Sequence, residues 1–189
     1  MPYFVAHGIV GASIVALSLP NVSLTRDREK LALGAFLAIC PDFDFIFLWF
    51  LHLPWHRGFS HSIAFAVVVA LLLSSLRIAP RVKEAAVYGL AIASHGLVDV
   101  VSTKTAPGVK LLWPLSTYTF KLRLFEYPDF YVDLRYQSLA VALINLLKQS
   151  LIELVVFAPI LLSVLLLRQR MTSAKQEGAT QPLVPPDAQ

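Results

Sequence analysis

This chain of 189 residues is 57% hydrophobic and only 15% charged, whereas an ordinary soluble domain is about 25% charged. Its mean hydropathy is +0.66. A soluble core of this size cannot bury so much apolar surface, which places the chain in a lipid bilayer. The net charge of +4 comes without a dense Lys/Arg stripe, so we expect no nucleic-acid partner.

Five apolar segments predict an all-α, multi-pass transmembrane helical bundle, since each is close to the ~20 residues that cross a bilayer as a helix. They are residues 3–20, 31–53, 61–78, 84–103 and 149–167. The last can be extended back to Ser138, and the first lacks the features of a cleaved signal. We expect residues 1–171 to form one membrane domain and 172–189 to be a disordered cytoplasmic tail.

Basic residues predict the orientation of the spans. Nine of them follow spans one, three and five, which an odd number of crossings places on one side: Arg26, Arg28, Lys30, Arg77, Arg81, Lys83, Arg168, Arg170 and Lys175. Seven fall on the other side: Arg57, Lys104, Lys110, Lys121, Arg123, Arg135 and Lys148. The larger group predicts a cytoplasmic C-terminus and an outer side that carries residues 104–148.

Ionisable residues fall at one level in four of these spans. They are His7 in the first span, Asp42 and Asp44 in CPDFDF, His56, Arg57 and His61 in HRGFSHS, and His95 and Asp99 in SHGLVD. Pro41 should break the second span and free backbone carbonyls. His95 and Asp99 are four residues apart, so both side chains lie on one helix face.

A cluster of ionisable residues in a bilayer is typical of a metal site. Each such group costs roughly 2.5–3.5 kcal/mol to place in the bilayer, and a bound cation would hold the group together. Imidazole and carboxylate ligands suit a divalent metal, most simply zinc, as one or two ions. We expect His56, His95, Asp99 and at least one of Asp42 and Asp44 to share a centre that His7 approaches. His61 joins them only if the heptapeptide forms a turn. The single cysteine, Cys40, reads as a small buried hydrophobe, with zinc ligation as the lesser alternative.

Each group also has a purely structural interpretation. His7 could be an interfacial histidine, and the PDFD segment a helix break with solvated carboxylates. HRGFSHS could be a polar turn in which Gly58 supplies the bend and Ser60 caps the third span. His95 and Asp99 could be a hydrogen-bonded pair between helices. His52 belongs to no group.

At these residues the chain resembles the family of LexA-binding, inner membrane-associated metal-dependent hydrolases. The resemblance rests on His7, PDFD, HRGFSHS, SHGLVDVVST and LLWPLS, in family order over roughly the first two-thirds of the chain. It implies a multi-pass helical protein of the cell inner membrane with metal-dependent hydrolase activity. A weaker similarity, in the order His, Asp, His and H-x-x-x-D, is to helical zinc-dependent phospholipases C and nucleases. The chain lacks their later H-x-x-x-E.

Two functions follow as expectations. The first is a hydrolase at the outer face of the membrane, acting on a lipid or a phosphoester, in which Asp42 or Asp44 acts as base or bridges metals. Arg57 would neutralise an anionic substrate oxygen. The second is a non-catalytic membrane protein with a structural metal or a scaffold role.

The aromatic and basic residues of segment 104–137 suit the headgroup level, either as an interfacial loop or as a lid.

Overall fold

The computed structural model describes residues 4–20, 22–44, 57–79, 81–102, 108–122 and 138–180. Over these ranges the regular secondary structure is helical, apart from an isolated antiparallel bridge between Val109 and Phe120, and residues 108–122 form turns and irregular structure. The α-helices are α1 (Phe4–Ser18), α2 (Arg28–Ile39), α3 (Ile63–Ser75), α4 (Val82–Ser102) and α5 (Leu139–Thr180). Two 3-10 turns, Cys40–Asp44 and Phe59–His61, follow α2 and precede α3. The all-α prediction is confirmed for this part of the chain.

Two of the described helices, α4 and α5, are long and apolar enough to cross a membrane. Helices α1 and α3 have 15 and 13 residues, fewer than the ~20 that a straight crossing needs. Helix α2 has 12 residues, and residues 45–53 of the predicted second span lie outside the described ranges. Five crossings therefore stay a prediction.

Helix α5 is much longer than the predicted fifth span. It begins at Leu139, next to the Ser138 to which that span could be extended, and it runs to Thr180. The segment from 172 to 180, predicted as part of a disordered tail, is thus helical in the structure. Its alanine, lysine, glutamine and glutamate residues have high helix propensity, which explains the continuation. Residues 181–189 of the predicted tail lie outside the described ranges.

Helices α1 to α4 alternate in direction, so that the starts of α1 and α3 and the ends of α2 and α4 meet at one end of the bundle. We call this the site end, because the side chains predicted to bind a metal lie there. Between the ends the helices share a core of mostly small aliphatic residues, including Val15, Ala16, Leu31, Leu37, Ala66, Leu73, Ala85, Tyr88, Ile92 and Leu165.

A glycine contact lets α1 and α2 approach closely. A Cβ atom on Gly11 would collide with the backbone oxygen of Gly34 and lie 3.1 Å from its carbonyl carbon. Gly8, one turn earlier, has more room: its nearest neighbour would be the Cδ1 atom of Ile39, at 3.2 Å. The first position therefore requires glycine, while the second faces a side chain that can move.

We expect Gly11→Ala to lower the free energy of unfolding by about 1–3 kcal/mol, the usual cost of overpacking. The added methyl group would push α1 away from the backbone of α2. Gly8→Ala is the matched control and should cost clearly less, since Ile39 can change rotamer and alanine favours the helix. Thermal unfolding in detergent measures both, and equal melting temperatures for the two variants would contradict the close crossing.

Candidate metal centre

Pro41 ends α2 and exposes a carbonyl oxygen to the site. After Ile39 the chain tightens into the 3-10 turn Cys40–Asp44. In that geometry the donor for the Ala38 oxygen would be the nitrogen of Pro41, which carries no hydrogen. The Ala38 oxygen instead lies 2.7 Å from Nδ1 of His95. The predicted break at Pro41 is therefore present, and it directs buried Asp42 and Asp44 to the site end.

The described part of the heptapeptide, from Arg57 to Ser62, is a tight polar turn. Its left-handed residue is Arg57, with φ of 61°, whereas Gly58 has φ of −94°. Ser62 caps α3 by accepting a hydrogen bond from the Phe65 amide at 3.1 Å. The structural interpretation assigned the bend to Gly58, which the structure confirms, and the cap to Ser60, which is wrong. Ser60 is free for the site because the cap falls two residues later.

Asp44 holds this turn in place. One carboxylate oxygen, Oδ2, accepts hydrogen bonds from the Ser60 hydroxyl and, at 3.3 Å, from the Arg57 amide. The same oxygen lies 3.5 Å from Nδ1 of His61. Asp44 therefore links the end of α2 to the turn before α3 and orients His61 from behind.

Helix α4 contributes His95 and Asp99 on one face, as their spacing predicts, and both are fully buried. Gly96 allows this helix to approach the turn, since a Cβ atom there would lie 2.5 Å from the carbonyl oxygen of His61. A larger residue would separate α4 from His61 and enlarge the site.

The four side chains of Asp42, His61, His95 and Asp99 converge on one point. A ligand atom from each lies within 4.8 Å of the others. The Nε2 atoms of His61 and His95 are 3.1 Å apart, and that of His95 is 3.3 Å from Oδ1 of Asp42. The Nε2 atom of His61 is 3.6 Å from Oδ2 of Asp99. Ligands of a zinc-sized ion at about 2.0–2.2 Å lie roughly 3–4 Å apart, which these separations match.

The hydrogen bonds of the two imidazoles explain why a cation fits between them. Nδ1 of His95 donates to the Ala38 carbonyl, which can only accept, so the Nε2 of a neutral His95 carries a lone pair. The Ser60 hydroxyl donates to Asp44, so its oxygen accepts from Nδ1 of His61 at 3.0 Å. The Nε2 of a neutral His61 then also carries a lone pair. Two lone pairs 3.1 Å apart, beside carboxylates, repel one another unless a cation lies between them.

Burial strengthens this fit. Neither carboxylate oxygen of Asp42 has a hydrogen-bond partner within the described part of the chain, although the residue is fully buried. Such an orphaned charge is strongly unfavourable unless it is paired or binds a metal. Two imidazoles and two carboxylates form a donor set that suits zinc and its neighbours, and the half-buried Cys40 is not among them.

His7 and Arg57 flank the four central residues. The ring of His7 stacks on that of His95 with centroids 3.8 Å apart, and its Nε2 is 3.4 Å from Oδ1 of Asp99. The buried Arg57 places Nε 3.8 Å from Oδ2 of Asp99. The structure therefore brings seven of the predicted site residues together. His56 and His52 lie outside the described ranges.

Glu153 in α5 is a buried acid that the sequence analysis did not assign to the site. Its Oε2 accepts a hydrogen bond from the Ala6 amide at 3.1 Å. This amide lies in the first turn of α1, where backbone donors lack a helical partner. The contact joins residues that are 147 positions apart in the sequence. The feature that could have revealed Glu153 is that it is a lone acidic residue within a long apolar segment.

Comparison with known proteins identifies the family. The chain belongs to the YdjM inner membrane protein family, whose model matches residues 1–174. No curated protein and no solved structure matches it. The match covers all four helices of the site and most of α5, and it assigns the chain to the inner membrane.

We expect His95→Ala to abolish metal retention, because it removes a ligand and the bond to Ala38. Asp44→Asn leaves the four ligands present and should weaken metal affinity about 10–100-fold by disorienting His61. Metal content of the purified protein, measured by elemental analysis after dialysis against a graded chelator, gives both values.

His52→Ala is the matched control for the loss of a histidine and should retain the metal, because the sequence places His52 in no ligand group. Helical circular dichroism should be the same in all three variants. Full metal retention by His95→Ala would contradict the site.

Proposed function

We propose that this protein is a multi-pass, metal-dependent hydrolase of the inner membrane. The observation that supports it most is the position of two imidazole Nε2 atoms, 3.1 Å apart, between the buried carboxylates of Asp42 and Asp99. A hydrolase needs an electrophilic centre and a basic group beside it, and this cluster holds candidates for both.

In the proposed site His61, His95, Asp42 and Asp99 hold one divalent cation, with zinc as the first choice. A bound cation of this kind polarises an ester oxygen and lowers the pKa of water to about 7, which makes a nucleophile available at neutral pH. Asp42 is the better candidate for general base, through the carboxylate oxygen that does not bind the cation, because its oxygens have no hydrogen-bond partner among the described residues. Asp44 has a positioning role, since Ser60 and the Arg57 amide already occupy it.

Charge balance favours one ion over two. The site-end cluster contains the carboxylates of Asp42, Asp44 and Asp99 and the guanidinium of Arg57, which stays protonated. With neutral histidines the net charge of these groups is −2, which one divalent cation cancels. A second cation would leave the buried cluster with a net positive charge, which costs free energy in a medium of low dielectric constant.

Arg57 is the candidate for substrate recognition. Its Nε lies 3.8 Å from Asp99, so the guanidinium borders the proposed cation without binding it. An anionic oxygen that develops on an ester during hydrolysis would be stabilised by this charge. LexA binding, which the resemblance also implies, stays a prediction.

A structural metal is the second candidate function. It is favoured by the burial of the ligands, since Asp42, His95 and Asp99 are 0% exposed. A structural ion would tie the end of α2, the start of α3 and the end of α4 together and exchange slowly, and its removal would unfold the bundle. A hydrolytic ion would be replaceable, with activity that follows its identity.

We expect the purified protein in detergent to hydrolyse a chromogenic ester or phosphodiester when loaded with zinc, manganese or cobalt. Arg57→Gln should lower kcat/KM about 10²-fold, the usual effect of losing one oxyanion-stabilising group. Its metal content should match that of the unchanged protein, because Arg57 is not a ligand.

Val82→Ser is the control, a change in an exposed residue at the opposite end of α4 from Asp99. It should leave turnover unchanged. Two results together would support the structural candidate instead. The metal-loaded protein would hydrolyse no ester, and removing the metal would lower its melting temperature.

The proposed orientation has its own test. Reporter fusions after Arg28 and Arg170 should report the cytoplasm, because basic residues stay on that side, and a fusion after Thr117 should report the exterior. The reverse pattern would place the site at the cytoplasmic face and leave its chemistry intact.

A further inference from the structure

The hairpin Gly108–Leu122 is attached to the site by backbone hydrogen bonds. The Lys110 amide donates to the Arg57 carbonyl at 3.2 Å, and the Leu122 amide donates to the Val100 carbonyl at 2.8 Å. The Ile63 amide, at the start of α3, donates to the Leu111 carbonyl at 3.0 Å. The hairpin therefore lies at the site end and cannot move without moving the chain next to the ligands.

The outer surface of this hairpin is apolar and aromatic. Leu115 is 92% exposed and Tyr118 is 66% exposed. Trp113 is also exposed, and its ring packs edge-on against Phe59, two residues before His61. Lys110 and Lys121 flank these residues in the sequence. Tryptophan and tyrosine beside lysine are typical of the boundary between headgroups and acyl chains.

Helix α5 runs past the site as an apolar element. Its candidate membrane span is Leu139–Met171, and between Lys148 and Arg168 its only charged residue is Glu153. Since Glu153 binds the Ala6 amide, the neighbouring His7 lies beside this apolar part of α5.

From these observations we infer that the substrate is a lipid of the surrounding bilayer, cleaved at an ester bond near its glycerol. This inference rests on the proposed hydrolase function. The exposed apolar and aromatic residues of the hairpin place the site end where the ester groups of lipids lie, beneath the charged headgroups. Hydrolysis of a small water-soluble ester would not require an apolar hairpin inserted in the bilayer.

The reaction requires only water as co-substrate. The oxygen of water bonds to the acyl carbon or phosphorus, and the bond from that atom to a lipid oxygen breaks. The proton that water loses is returned to the departing oxygen. Asp42 is the group of this chain placed to carry that proton. The products are a fatty acid and a lysolipid, or a phosphorylated headgroup and a diacylglycerol.

The depth is tested without activity. In a Trp49→Phe/Trp55→Phe variant, Trp113 is the single tryptophan. In vesicles of phosphatidylethanolamine and phosphatidylglycerol, lipids brominated next to the ester should quench its fluorescence more than lipids brominated at the chain end. Quenching by aqueous acrylamide alone would place the hairpin in water and overturn the inference.

The substrate class is tested in the same vesicles with metal-loaded protein. We expect release of fatty acid or of phosphorylated headgroup, which distinguishes a carboxylic ester from a phosphoester. In Leu115→Ser/Tyr118→Ser the ratio of lipid to soluble-ester hydrolysis should fall about tenfold, because the apolar seating is lost. Val82→Ser, which removes a side chain of similar exposure at the other end of α4, should keep the ratio.

The outcomes separate the two proposals. Turnover of soluble esters without turnover of vesicle lipids would overturn the lipid inference and leave the hydrolase proposal standing. A metal-loaded protein that hydrolyses neither class would overturn both, even if the fluorescence shows Trp113 at the predicted depth. Lipid turnover with an unchanged ratio in Leu115→Ser/Tyr118→Ser would contradict the seating role of the hairpin.

Discussion

Two buried imidazole Nε2 atoms held 3.1 Å apart set the central constraint of this protein. Their orientation is fixed from behind, by the Ala38 carbonyl for His95 and by Ser60 with Asp44 for His61. Polar groups that fix both tautomers are the usual support of metal-binding histidines. With the carboxylates of Asp42 and Asp99 added, the arrangement is stable in an apolar bilayer only if positive charge lies within it.

The helical bundle is organised to satisfy that constraint. Pro41 ends α2 and leaves the Ala38 carbonyl to hold His95 of α4. Arg57, whose φ is positive, turns the chain so that His61 faces inward. Glycines at positions 11 and 96 allow backbone contacts that larger residues would prevent. Each device lies at a helix end or a crossing, while the helix interiors are filled by ordinary aliphatic packing. Among the described residues, the buried ionisable groups are thereby confined to the site end.

Much of the site could be predicted from the sequence because its signals are local. The spacing of His95 and Asp99 predicts a shared helix face, and Pro41 predicts a break with a freed carbonyl, as the structure shows. The geometry of the turn depends on details that spacing does not contain: the positive φ of Arg57 beside the predicted bend at Gly58, and the cap at Ser62 instead of Ser60. Glu153 was missed because its partner is 147 residues away. The length of α5 exceeded the apolar segment because helix propensity continues past the hydrophobic residues.

The proposed site specifies which atoms bind the metal and at what distance. X-ray absorption spectroscopy at the metal edge of the purified protein in detergent measures the elements and distances of that shell. We predict four nitrogen or oxygen neighbours at about 2.0–2.2 Å, with the multiple-scattering signature of two imidazoles and no sulfur. A sulfur neighbour near 2.3 Å, which would indicate Cys40, or a shell of oxygen atoms without imidazole would contradict the site described here.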